Sequence, residues 1–219
     1  MKILFMHNYY RLPGGEDRVF ELESSLLEKK GNQVVKFSRH NSELDRMSRL
    51  NKVFVALNMI WSPKMYRKMK KMLRSLKPDV VHFHNVVPLL TPSLYYACKS
   101  EGVAAVQTLH NYRMICPGGK MLRQKMVCED CLCRFPWPAV VHGCYRDSKA
   151  ATFIIGASFW IHRLIGKWTE NIDLFIALTD FSRMIFIKGG IPEKKLVVKP
   201  NFTRDIRPHY DHKGYALYV

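Results

Sequence analysis

Polar pairs, most of them histidine followed by asparagine, recur in this chain where apolar runs stop. The pairs are His7-Asn8, His84-Asn85 and His110-Asn111, and Thr179-Asp180 ends a fourth run in the same way. Imidazole is the side chain that most readily moves a proton near neutral pH, and a carboxamide both donates and accepts hydrogen bonds. Any one of these histidines alone would more often be a structural hydrogen-bonding group than a catalytic one. Four polar strand exits in one chain predict a shared cleft, because ligands of open parallel sheets bind beyond the carboxyl ends of the strands.

A second constellation is sulfur-rich. Cys116, Cys128, Cys131 and Cys144 have the layout of a four-thiolate zinc site, with a C-x2-C pair completed by two more distant cysteines. Four thiolates leave no open coordination position, so such a zinc would be structural. Cys133 rivals Cys131, and His142 rivals Cys144. A metal-free reduced loop and disulfides are the alternatives. Cys98, in a helical stretch, reads as an ordinary buried thiol.

The elements that must position these groups alternate. An apolar strand at 2–7 leads through Leu12-Pro13-Gly14-Gly15 into a helix at 16–30, which has helical apolar spacing and stops at Gly31. A strand follows at 33–38. Residues 40–62 are hard to assign, although 53–61 is strongly apolar. The sequence predicts a very basic helix at 64–77, a strand at 80–84, a helix at 89–100 and a strand at 103–109. Next come a cysteine-bearing insertion at 113–145 and one long helix at 148–168. A strand at 173–178, a short helix at 182–188 and a strand at 196–199 complete the pattern. This alternation predicts an α/β fold with a doubly wound, mostly parallel Rossmann-like sheet and a small cysteine-rich insertion.

At 219 residues the chain can bury one substantial core. With 47% hydrophobic and 24% charged residues it is a folded globular protein and not a disordered one. Its net charge of +17 implies a polyanionic partner: nucleic acid, an anionic membrane surface or a phosphorylated substrate. Lys64, Arg67, Lys68, Lys70, Lys71, Arg74 and Lys77 crowd the basic helix, with methionines and leucines on its other side. That helix could lie in an anionic membrane interface or pack on the sheet as a solvated basic helix. The short N-terminal apolar run ends at His7 and is too short for a signal peptide. A cytoplasmic location is therefore expected, with peripheral attachment at the inner face of the membrane as an extension of it. Reducing conditions there favour metal ligation over disulfides.

The order Met1-Lys2-Ile3-Leu4, Gly14-Gly15, helix, Pro78-Asp79-Val80-Val81-His82-Phe83-His84, Thr108-Leu109-His110, Ala177-Leu178-Thr179, Ser182, Pro200-Asn201 resembles the N-terminal domain of retaining glycosyltransferases with the GT-B fold, glycosyltransferase family 4. The resemblance covers essentially the whole chain. It implies one half of a GT-B fold and sugar transfer, with retained configuration, from a nucleotide-sugar donor to a glycan or lipid-linked acceptor. It implies that Gly14 and Gly15 face the donor diphosphate, where bare backbone N–H groups at a helix start favour an anion. It implies that His110 lies at the reacting centre, that His84 and its neighbour Asn85 position the acceptor, with Asn111 beside His110, and that Asn201 closes the domain. Glu16 could bind sugar hydroxyls or merely complement the helix dipole. The cysteine insertion resembles one found in a subset of these enzymes.

Under this reading residues 1–205 form the acceptor-side domain, including the insertion at 113–145. Residues 206–219 form a linker and the first strand of a donor-binding domain that is otherwise missing. Two other classes compete: a zinc-containing nucleic-acid-binding protein, and a non-catalytic regulatory fragment. The strand exits carry His and Asn instead of a base-stacking aromatic set, which makes nucleic acid the weaker partner.

Overall fold

The computed structural model describes residues 1–203, and the expected linker and strand at 206–219 lie outside them. The chain opens with β1 (Lys2–Tyr9), α1 (Gly15–Lys29), β2 (Gln33–His40), α2 (Arg49–Asn58), α3 (Pro63–Leu76) and β3 (Val80–Phe83). It continues with α4 (Ser93–Ser100), β4 (Ala104–Leu109), the hairpin β5 (Leu122–Arg123) and β6 (Met126–Val127), and α5 (Trp137–His142). It closes with α6 (Lys149–Leu164), α7 (Lys167–Asn171), β7 (Leu174–Ala177), α8 (Asp180–Lys188) and β8 (Leu196–Val198). The six long-range strands form one parallel sheet in the order β2-β1-β3-β4-β7-β8. The order reverses at β1, so the β1/β3 pair is the switch point of a doubly wound sheet, beside which ligands bind.

The central strands are apolar because helices cover both of their faces. Leu4, Phe5, Met6, Val81, Phe83 and Phe175 are fully buried. Their packing supplies most of the stabilisation, at about 25 cal/mol per Å² of apolar surface removed from water.

Two expectations are corrected, and one unassigned stretch is filled. The helix expected at 148–168 is two helices, α6 and α7, broken at Gly166, which has φ +67°. The helix expected from 89 begins at Ser93, because Pro92 stands at its N-cap and residues 81–95 form a wholly buried stretch. The unassigned stretch 40–62 holds α2, which ends before Ser62 caps α3 and Pro63 occupies its first turn.

The basic helix α3 packs on the sheet. Met65, Met69 and Leu73 are buried in the main core, while Lys64, Arg67, Lys68, Lys71 and Arg74 are exposed. The apolar side that would enter a bilayer is therefore already spent on the core, and only the charged side is free to meet an anionic surface. No helix among the described residues is long and apolar enough to cross a membrane.

Candidate functional site

A cavity of about 410 Å³ opens at the carboxyl ends of β1 and β4. It gathers six of the residues singled out in the sequence: Gly14, Gly15, Glu16, His110, Asn111 and Asn201. Tyr10, Arg113, Gly118, Gly119, Lys120 and Leu178 complete its wall.

The glycine turn is held from below. Gly14 is the N-cap of α1, and its backbone N–H donates to Asp17 Oδ2 at 2.8 Å. The other oxygen of Asp17 accepts from His7 Nε2 at 2.6 Å. His7 is completely buried, and burial is the main reason its pKa lies below the ordinary imidazole value. It is therefore a neutral donor to a carboxylate. Asp17, at the third helical position, takes the capping and dipole role that Glu16 could have served. Glu16 instead lines the cavity, hydrogen-bonded to Tyr10, with Oε2 unpartnered. Burial raises its pKa. The Gly14 N–H is spent on Asp17 and the Asp17 N–H on the Gly14 carbonyl, whereas Gly15 and Glu16, the first two residues of the 15-residue helix, line the cavity.

The histidines form a stacked series behind the opening. His84 Nδ1 lies 2.9 Å from His110 Nε2, and their rings stack with centroids 5.1 Å apart. Burial, then His7 and Lys199, pushes the His110 pKa down to about 4, so its imidazole is neutral at physiological pH. The His84 side chain is fully buried, so it reaches the cavity only through His110. Asn85 is spent on the chain itself. Its Nδ2 donates to the Asn8 carbonyl, and its Oδ1 accepts from Val87 N–H. Asn8 in turn donates to Asn41 and to the Val87 carbonyl. These bonds tie the ends of β1 and β3 together, so His84 and Asn85 set the backbone and His110, while Asn111 lines the wall and caps the turn that carries Arg113.

The cations of the site were not singled out from the sequence. Arg113 donates to the Tyr10 hydroxyl at 3.2 Å and lies over the Tyr145 ring at 5.5 Å. Lys120 stands beside it after a second glycine pair, Gly118-Gly119. Gly119 has φ +75°, and a Cβ there would come within 3.4 Å of the Arg113 guanidinium. Two glycine turns, a helix start and two cations around one cavity are groups whose chemistry suits an anion with several oxygens.

Cys116, Cys128, Cys131 and Cys144 line one hollow of about 630 Å³ inside the insertion, and all six cysteines of the chain are unpaired. The other three thiols act electrostatically on Cys131, whose pKa rises to about 11, chiefly through burial. Cys133 points away and donates its S–H to the Lys188 carbonyl, whereas His142 lines the same hollow. The four sulfurs are not drawn to ligation spacing. Among the described residues, the one set of three ligand atoms within 4.8 Å of one another is Glu23, His82 and His84.

The sequence profile of Glycosyltransferase Family 4 matches residues 13–205, and the chain belongs to that family. No curated protein matches it. Among solved structures, it is similar to UDP-GlcNAc 2-epimerase from Methanocaldococcus jannaschii, at 14% identity and TM-score 0.46 over 90% of this chain and 45% of that one. S. aureus MnaA, solved with UDP, matches at 11% identity and TM-score 0.49 over 91% and 45%. Anabaena Alr3699/HepE, solved with UDP, matches at 15% identity and TM-score 0.44 over 92% and 44%. The chain thus spans about 45% of the length of the solved proteins it matches.

Proposed function

We propose that this chain is the acceptor-side domain of a retaining glycosyltransferase that moves a sugar from a nucleoside-diphosphate donor to a glycan or lipid-linked acceptor. The observation that carries this reading is the convergence of the Gly14-Gly15 turn, His110, Arg113 and Lys120 on one cavity at the carboxyl ends of a parallel sheet.

In sugar transfer, the bond between the anomeric carbon and the diphosphate oxygen breaks while the acceptor hydroxyl oxygen attaches to the same carbon, and the hydroxyl proton passes to the departing diphosphate. Charge grows on the departing diphosphate, and fixed donors aimed at it lower the barrier. The first-turn amides of α1, Arg113 and Lys120 are the groups proposed to meet that charge. Neutral His110 would hydrogen-bond a hydroxyl of the donor sugar, held in orientation by His84. Glu16, which burial biases toward the protonated form, would bind a further hydroxyl. None of the described residues is assigned to recognition of the base or the ribose.

The four-thiol hollow fits a structural Zn²⁺, because its donor set is soft and would close the coordination sphere. Cys116, Cys128, Cys131 and Cys144 would hold the ion, and its contribution is rigidity. Gly118, Gly119 and Lys120 lie in the same insertion, so bound metal would fix one wall of the donor cavity. The exposed cations of α3 supply a surface for anionic phospholipid head groups at the cytoplasmic face of a membrane.

The test is turnover by the complete polypeptide. With a panel of nucleotide sugars and lipid-linked or glycan acceptors, nucleoside diphosphate release should fall about 100-fold or more in His110→Ala. The anomeric configuration of the product should match that of the donor. Release that is undiminished in His110→Ala, or an inverted product, would overturn the assignment.

A further inference from the structure

Behind the donor cavity lies a group of side chains that the proposed transfer uses only through His84, which orients His110. His82 and His84 stand two residues apart at the end of β3 and therefore point to the same face of the sheet. α1 covers that face and places Glu23 against both rings. His84 Nε2 is 3.7 Å from Glu23 Oε2, and His82 Nδ1 is 3.9 Å from Glu23 Oε1. We propose that Glu23, His82 and His84 form a buried binding site for a divalent transition-metal ion of the Zn²⁺ class.

Four observations carry this assignment. First, the three residues are 93–97% buried, with relative exposures of 7%, 6% and 3%. Second, Glu23 Oε2 and His84 Nε2, which face each other, have no hydrogen-bond partner among the described residues. A buried carboxylate oxygen and a buried ring nitrogen left facing each other are costly unless something lies between them. Third, each imidazole has its far nitrogen engaged: His82 Nε2 with Thr108 Oγ1 at 2.8 Å, and His84 Nδ1 with His110 Nε2 at 2.9 Å. That is the arrangement by which a second partner aims a metal-ligating histidine. Fourth, a cation already stands there, since Lys199 Nζ is 2.9 Å from Glu23 Oε1.

The spacing suits an ion. Bonds of about 2.1 Å at a tetrahedral angle place neighbouring ligand atoms about 3.4 Å apart. The separations of 3.7 and 3.9 Å end on the two different oxygens of Glu23, and one ligand atom from each of the three residues lies within 4.8 Å of the others, so small side-chain rotations would close the set around an ion. Two imidazoles and one carboxylate suit Zn²⁺, Co²⁺ or Ni²⁺ better than Mg²⁺ or Ca²⁺, which prefer all-oxygen shells. Lys199 would leave as the ion enters. Its side chain is 38% exposed, so the ammonium can turn toward water. The bound ion would join α1 to β3 and, through His84, fix the orientation of His110. The site stands independently of the glycosyltransferase reading.

The test is a Co²⁺ titration of the chelator-stripped full chain. Thiolate ligation by the cysteine hollow gives sulfur-to-cobalt charge-transfer absorption, whereas an imidazole–carboxylate site does not, so the two are separable in one sample. One equivalent should bind with ligand-field absorption and no charge transfer. Glu23→Gln and His82→Gln should each lose that equivalent and leave any charge-transfer band unchanged. Lys199→Met, which removes the competing ammonium, should bind Co²⁺ at least tenfold more tightly. Undiminished binding in Glu23→Gln overturns the site. Unchanged or weaker binding in Lys199→Met also overturns it, and that variant decides the matter if the substitutions in the buried ligands prevent folding.

Discussion

Replacing Asp17 with alanine should destabilise the fold and loosen the glycine turn together. Asp17 is 93% buried, at 7% relative exposure, and its carboxylate holds two groups at once, the Gly14 N–H and His7 Nε2. Each hydrogen bond to a charged group is worth about 1.5–3 kcal/mol. His7 Nδ1 already lacks a partner, so alanine at 17 leaves a completely buried imidazole with neither nitrogen satisfied. The expected loss is about 3–5 kcal/mol, a large part of the total of roughly 5–15 kcal/mol typical of a domain. Asp17→Asn has nearly the same shape. Its carbonyl can still accept from Gly14, and its amide can donate to His7 once the imidazole changes tautomer, so the loss should be about 1 kcal/mol. Urea unfolding of the three proteins at pH 7.5, followed by circular dichroism, gives these differences from the midpoints. Pyrophosphate affinity of the folded alanine variant should also drop, because the turn has lost its anchor. The reasoning fails if Asp17→Ala stays within about 0.5 kcal/mol of the parent, the usual range for surface substitutions. It also fails if asparagine costs as much as alanine.

Three further outcomes are expected. Gly156 on α6 faces the insertion, where a Cβ would come within 2.7 Å of Pro136 Cγ. Overpacking of about 1–3 kcal/mol should outweigh the gain of up to about 1 kcal/mol in helix propensity, so Gly156→Ala should lower the thermal midpoint. His7 and His162 both have pKa values lowered mainly by burial. The unfolded chain therefore protonates first, and stability is full above about pH 6.5 and falls as the pH drops below it. Melting between pH 8 and pH 5 should show this decline, with a shallower slope in His162→Gln, which removes the imidazole that binds the Ile60 carbonyl. Purified protein should hold zinc through its cysteines, and Cys131→Ser should lose that zinc and expose the insertion to limited proteolysis, with unchanged zinc content as the contrary result.

The sheet was legible because β1, β3, β4 and β7 are largely apolar runs, each closed by a polar pair, and because Gly31 ends α1 where the pattern stops. The helix breaks were harder to read. Gly166 sits in a mixed stretch that otherwise keeps helix-forming residues, and its positive φ separates α6 from α7. The buried stretch after β3 has the composition of a helix start, yet Pro88 and Pro92 hold it out of one until Ser93. His110 and Asn111 could be expected at a shared cleft from the polar strand exits, whereas the glycine turn and Asn201 were placed only through the family resemblance. Arg113 and Lys120 could not, because they reach that wall from the insertion. The bond from Arg113 to Tyr10 spans 103 positions, and no local pattern encodes that distance. One signal was available: Gly118-Gly119-Lys120 repeats, within the insertion, the glycine-rich character of Gly14-Gly15. Asp17 was readable too, as an acidic residue three positions after a glycine N-cap. The burial of His84 and Asn85 was not, since it depends on α1 and the 84–91 stretch closing over them.

The account depends most on an anion-binding wall made by the start of α1 and the end of β4. Titrating ¹⁵N-labelled chain with pyrophosphate tests it directly. The amides of Gly14, Gly15, Glu16 and Asn111 should shift together along one saturable curve, while those of Gly31 and Gly102, at turns away from the cavity, stay fixed. Stationary Gly14 and Gly15 signals, with shifts confined to the lysines and arginines of α3, would contradict it.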